Sequence, residues 1–85
     1  MNQTRTLAAI MFTDIVGYTA IMAEDENRAL SILESNREIH ARFISIHGGQ
    51  FIKEIGDGSM VTFPTASEAV FCALDIQKNI KPITN

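Results

Sequence analysis

The sequence predicts a single small α+β domain of ferredoxin-like order, and three observations carry that prediction. Apolar residues recur at helical spacing from Ile32 to Ile46 and again from Ala69 to Ile76. Three short apolar or β-branched runs lie outside those stretches, and glycine pairs and acidic clusters separate the segments. In chain order the elements read β-α-α-β-β-α. That order opens a ferredoxin-like unit, in which the first strand crosses over right-handedly through a helix to a parallel second strand and the third strand slots between them. The unit's final strand is missing, because only Lys81-Pro-Ile-Thr-Asn85 follow the last helix. The expected division is an N-terminal extension over 1–6, the domain over 7–80 and a C-terminal tail over 81–85.

The elements can be justified in turn. Leu7-Ala-Ala-Ile-Met-Phe-Thr13 is a continuous apolar run, read as a strand covered on both faces, although its alanines and leucine would also suit a helix. Gly17 breaks the run, and Tyr18 to Ala23 has the spacing of a short helix that begins soon after Asp14. Glu24-Asp-Glu26 supplies the negative charge favoured at a helix N-terminus, and Ile32, Leu33, Asn36, Ile39, Phe43 and Ile46 mark the inner face of a long helix. Gly48-Gly49 ends it, since glycine enters the left-handed C-cap conformation at little steric cost. Gln50 to Ile55 and Ser59 to Phe63 read as strands joined through Gly56-Asp57-Gly58, with Asp-Gly as the hairpin signal. A last helix runs from about Ala66 to Lys78, and Pro82 lies beyond its end.

Composition removes several classes of function. The 85 residues are 46% hydrophobic and 20% charged, which is the balance of an ordinary globular domain. Seven basic against ten acidic residues, with no basic stripe, lack the electrostatic attraction that dominates nucleic-acid binding, so no nucleic-acid partner is expected. The longest apolar runs fall far short of the roughly 20 residues of a membrane helix, and no targeting segment or membrane contact is read. The single cysteine, Cys72, lies in an apolar run and reads as a small buried hydrophobe, which fits a reducing, cytoplasmic location.

The chemistry lies at the strand ends. In the expected topology the C-terminal end of the first strand and the tip of the later hairpin meet at one edge of the sheet, which brings Asp14 and Asp57 together. Singly, Asp14 reads as a helix cap and Asp57 as a turn residue. Converging beside a helix start, they form a plausible site for hard divalent cations and a polyphosphate, because such cations want oxygen ligands and a helix start offers free amides. Two such ions can activate an attacking hydroxyl and neutralise a leaving pyrophosphate. Lys53 is placed on the same face of its strand as Asp57, roughly 13 Å away at about 3.3 Å per residue, too far for direct pairing.

Phe12-Thr-Asp-Ile-Val-Gly-Tyr-Thr19, His47-Gly-Gly49 and Lys53-Glu-Ile-Gly-Asp-Gly58 together resemble the N-terminal half of a class III nucleotide cyclase domain, over about Leu7 to Ile80. The resemblance implies that Asp14 and Asp57 are the metal-binding aspartates, joined by the backbone carbonyl of Ile15, and that two divalent cations, Mg2+ or Mn2+, are the cofactors. It implies that Val16, Gly17, Tyr18 and Thr19 hold the triphosphate, largely through backbone amides, and that Lys53 contacts the purine. Lysine at that position favours ATP over GTP. In the family the sites form between two catalytic domains, one giving the aspartates and the other the lysine, so the expected partner is a second copy or a complementary cyclase half-domain. The implied reaction is attack of the ribose 3′-hydroxyl of ATP on its α-phosphorus, giving cyclic AMP and pyrophosphate.

The half of the domain that carries the transition-state asparagine and arginine is expected to follow the matched region, and Asn85 does not fill that role. The 85-residue chain is therefore expected to be inactive alone. A non-catalytic interaction module of the same ancestry is the alternative, and a polymerase-type phosphoryl transfer on a similar core is a more distant one. His40 and His47, seven apart on the long helix, are expected on one face without completing a metal site. Met11, Met22 and Met60 are expected to fill core gaps.

Overall fold

The computed structural model describes residues 7–80, so the N-terminal extension 1–6 and the tail 81–85, with Pro82 and Asn85, lie outside the described residues. The elements are β1 (Ala9–Thr13), α1 (Tyr18–Glu24), α2 (Glu26–Ile46), β2 (Gln50–Ile55), β3 (Gly58–Phe63) and α3 (Ala66–Asn79). Local chemistry accounts for their ends. Asp25 caps α2 by accepting from the Arg28 N–H at 3.1 Å, and Thr65 caps α3 by accepting from the Glu68 N–H at 3.1 Å. Gly48, at φ +68°, follows α2, and Gly49 donates back to the Ile44 carbonyl at 2.8 Å.

The sheet order is β1-β3-β2, with β3 antiparallel to both neighbours, so β1 and β2 run parallel on either side of it. This is the expected ferredoxin-like arrangement in partial form. The two-residue turn between β2 and β3 is Gly56-Asp57 rather than Asp57-Gly58. Gly56 takes the positive φ of 60°, and Gly58 already pairs with Ile55. A register irregularity between Phe51 and Lys53 interrupts β2. Since Asp57 lies in the turn and not on the strand, the straight-strand spacing expected between Lys53 and Asp57 does not hold.

The core lies on one face of the sheet. Val61 and Phe63 from β3 pack with Phe43 and Ile44 from α2 and Cys72 and Ile76 from α3, and Ala9 and Met11 of β1 join them. Val61 and Cys72 are fully buried, so Cys72 is the small buried hydrophobe its sequence context suggested. The inner face of α2 runs through Ala29, His40, Phe43 and Ile44, while Ile46 is 62% exposed and falls outside it.

Among the described residues, no element covers the other face of the sheet. Residues opposite one another in a ladder share a face, and Phe12, Met60 and Lys53 align in one such row. Ile10 and Phe12 are 54% and 65% exposed, which corrects the expectation that β1 is covered on both faces. Both described helices that pack on the sheet, α2 and α3, lie on the side of Val61 and Phe63. Met60 accordingly stands on the open face and Met22 outside the core cluster, and of the three methionines only Met11 packs against the core.

Candidate active site

The site forms where β1 ends and β3 begins. Their last ladder pair is Thr13 with Ser59, whose hydroxyls hydrogen-bond at 2.6 Å. Next to them β3 approaches β1 so closely that a Cβ on Gly58 would lie 1.9 Å from the Thr13 carbonyl oxygen. Only glycine permits that approach. It places Asp57, the residue before Gly58, beside the chain that leaves β1.

The consequence is a junction of two carboxylates on one amide. The Ile15 N–H donates at 3.0 Å to Asp57 Oδ2 and at 3.0 Å to Asp14 Oδ1. The structure thus brings Asp14 and Asp57 together, as the strand order required. Their proximity divides their proton affinities. A hydrogen bond with Asp57, reinforced by its negative charge, raises the Asp14 carboxyl above its usual range against the pull of the Ile15 N–H. Burial pushes Asp57 up, but the hydrogen bonds from Asp14, from Ile15 and from its own backbone outweigh this and hold it below its usual range. Two carboxylates gathered on one amide favour added positive charge between them.

Asp14 and Asp57 supply the side-chain donors that fit a divalent cation, and among the described residues no group of three or more His, Cys, Asp or Glu side chains suited to a metal occurs. The Ile15 carbonyl accepts from the Tyr18 N–H at 3.3 Å, which leaves a second lone pair on that oxygen. Beyond it, Val16 is 90% exposed, and Gly17, at φ +76°, is the N-cap of α1 without a side-chain cap hydrogen bond. The first turn of α1 carries no acidic residue. Tyr18 and Thr19 begin the helix, so Val16 to Thr19 form the bend adjoining the carboxylates.

Lys53 stands apart from this junction. It lies on the open sheet face, on the outer strand, beside Met60. On the opposite face of β2, Glu54 pairs with Arg37 of α2 at 2.9 Å, an exposed ion pair worth about 0–1 kcal/mol.

A polar cluster that sequence reading left unremarked lies at the far end of α2. His47 is the C-cap of that helix, not a member of its face in line with His40. Its Nδ1 lies 2.9 Å from Glu68 Oε2 and its Nε2 2.6 Å from Asp75 Oδ2, both on α3. Glu68 and Asp75 are seven apart and so share a helix face, a signal present in the sequence. His40 is buried in α2, with Nδ1 2.8 Å from the Asn36 carbonyl.

Residues 1–82 match the sequence profile of the Adenylate and Guanylate cyclase catalytic domain. The chain is 39% identical over 75 residues to a Rhizobium meliloti (strain 1021) protein named "Putative adenylate cyclase 3", covering 87% of this chain and 13% of that protein. It is 33% identical over 69 residues to the adenylate cyclase of Lachancea kluyveri, covering 81% of this chain and 4% of that protein. It is 32% identical over 71 residues to the adenylate cyclase of Podospora anserina, covering 84% of this chain and 3% of the relative. With residues 1–82 of its 85 matched by that profile, the chain belongs to the adenylate and guanylate cyclase catalytic domain family.

Proposed function

We propose that the chain is the metal- and triphosphate-binding part of a cyclase that converts ATP to cyclic AMP and pyrophosphate at an interface between two catalytic domains. The observation that carries this reading is the meeting of Asp14 and Asp57 at the Ile15 amide. In it, Asp14 and Asp57, with the Ile15 carbonyl, hold two divalent cations, Mg2+ or Mn2+. Two cations held there would supply charge neutralisation for the polyphosphate and activation of the ribose hydroxyl. The chain's own residues fix the geometry: the Gly58 contact sets the Asp57 position, and Gly17 lets backbone approach the phosphates. Val16, Tyr18 and Thr19 complete the phosphate bend. Lys53, on the opposite side of the hairpin tip, serves the purine of the site completed by the second domain and selects ATP.

Turnover in this reading requires a complementary half-domain that brings the transition-state groups, whose loss alone costs on the order of a hundredfold or more in rate. The chain spans 13% or less of the relatives it matches, and their activities are theirs as whole proteins. A second reading, a non-catalytic pairing module, is favoured by one observation, the uncovered apolar row of Ile10 and Phe12.

Titration with MnCl2 followed by calorimetry, with and without a non-hydrolysable ATP analogue, tests the site directly. Binding is expected for the full chain and is expected to be lost in Asp14→Asn and Asp57→Asn, both of which keep side-chain shape. Cyclic AMP assayed after mixing with a cyclase half-domain that supplies the missing groups then separates the two readings. Unchanged Mn2+ binding in both variants would remove the assigned roles.

A further inference from the structure

His47 is held between two carboxylates, one at each ring nitrogen. A neutral imidazole has one N–H and one lone pair, so it can donate to only one of them and must turn the lone pair toward the other. At 2.9 Å to Glu68 and 2.6 Å to Asp75, such a lone pair would face an acceptor oxygen at hydrogen-bond distance. With both carboxylates ionised, only the doubly protonated ring satisfies both contacts. Two further features favour the charge. His47 caps the C-terminal, electronegative end of α2, whose last turn contains no basic residue. Its side chain is only 14% exposed, so the ring has little water of its own, although the Glu68 and Asp75 carboxylates remain partly open to solvent.

We propose that His47 is a proton-operated latch between the end of α2 and the face of α3, closed when the imidazole is charged and released when it loses its proton. The charged groups that face the ring from α3 are Glu68 and Asp75. Between them lies Cys72, whose thiol is kept protonated by burial and then by the Asp75 charge, so it adds no charge at neutral pH. From α2 the residue closes the carbonyl end of the helix through its backbone, the His47 amide N–H donating to the Phe43 carbonyl at 3.0 Å. The Asp75 and then the Glu68 hydrogen bonds raise the imidazole above its ordinary 6.5, against a smaller opposing effect of burial. The latch therefore contributes its full stability below about pH 6.5, and loses it as pH rises through the raised value.

The latch has a structural reach beyond its own contacts. Gly48 and Gly49 follow immediately and lead into β2, and a Cβ on Gly49 would sit 2.5 Å from the Phe63 ring. The helix end, the tight turn and the start of the hairpin are thus one packed unit, pinned to α3 by His47. The inference is independent of any catalytic role, because none of these residues belongs to the Asp14–Asp57 junction.

The test is a thermal unfolding series on the full chain from pH 5.5 to 9, in wild type, His47→Gln and Asp75→Asn, together with an NMR titration of the two histidine rings. The expected result is a wild-type midpoint that falls as pH rises through the His47 transition, a flat profile over that window in His47→Gln, and a reduced fall in Asp75→Asn. The His47 ring, assigned by its absence in the variant, is expected to titrate above 6.5 in wild type. If His47→Gln does not fold, the wild-type ring titration decides alone. A His47 transition at or below 6.5, or equal pH slopes in wild type and His47→Gln, overturns the latch.

Discussion

Gly58 shows how much a single residue can determine at the candidate site. A methyl group there would have to pass through the Thr13 carbonyl oxygen, which is backbone on a paired strand and cannot swing aside as a side-chain tip can. Gly58→Ala is therefore expected to destabilise the fold by about 1–3 kcal/mol, the range for forced overpacking, and to weaken Mn2+ binding at the same time. Chemical denaturation and the MnCl2 titration measure the two effects on one variant. Stability and binding both left intact would mean that the close approach of β1 and β3 does not set the site. The meeting of the aspartates was legible in the sequence because the order of elements, with the third strand slotted between the first two, fixes which strand ends adjoin. The Gly58 contact was not, since it depends on a register that emerges only when Thr13 and Ser59 pair. His47 was legible as a motif residue but not as a clamp, because its partners belong to another helix.

At the scale of elements, β3 is the member on which the rest converge. It pairs on both edges, and its inward residues Val61 and Phe63 are 0% and 1% exposed between the sheet and both long helices. Truncating a buried phenylalanine costs about 3–5 kcal/mol, while a chain of this length has roughly 4–13 kcal/mol in all at 0.05–0.15 kcal/mol per residue. Phe63→Ala is accordingly expected to remove a large share of that stability, about 3–5 kcal/mol as read by chemical denaturation, whereas Val70→Ala on the exposed side of α3 is expected to change stability by less than about 0.5 kcal/mol. The order and type of the elements follow from period and punctuation, and every strand and helix falls close to where the pattern put it. The inner face of α2 was less accurately legible. Apolar spacing pointed to Ile46, but burial selects Ala29 and His40, small or polar residues whose place is decided by what packs opposite them.

At the scale of the whole molecule, the sheet has, among the described residues, one face packed by helices and one face open. Ile10 and Phe12 stand open on the sheet, and Val70, Phe71 and Leu74 are at least half exposed on α3. A partly exposed sheet whose β1 and β2 have no outer neighbour among the described residues invites pairing. The chain is expected to associate with itself as concentration rises, and Phe12→Lys to suppress that association without loss of helix content. Sedimentation velocity across a hundredfold concentration range measures the association and far-UV circular dichroism the helix content; a strictly monomeric wild type would show that the open face needs no cover. Among the described residues no helix is long and apolar enough to cross a membrane, so this apolar surface is not part of a membrane-spanning helix. The sequence disclosed the apolar run of β1 but not its exposure, since a continuous run looks alike whether a second layer covers it or not.

The position of β3 at the centre of the sheet has a consequence for the birth of the protein. Synthesis proceeds from the N-terminus, and β1 cannot pair with β2, because β3 lies between them. Until Gly58–Phe63 has left the ribosome, β1 has no edge to join, and Asp14 waits for a partner encoded far downstream. The β2–β3 hairpin can close locally, but β1 must be captured across a long loop, which is the slower step. An arrest series that halts translation at successive lengths would find protease resistance arriving in one step after β3 and α3 emerge, with the acidic junction appearing in that same step rather than before it.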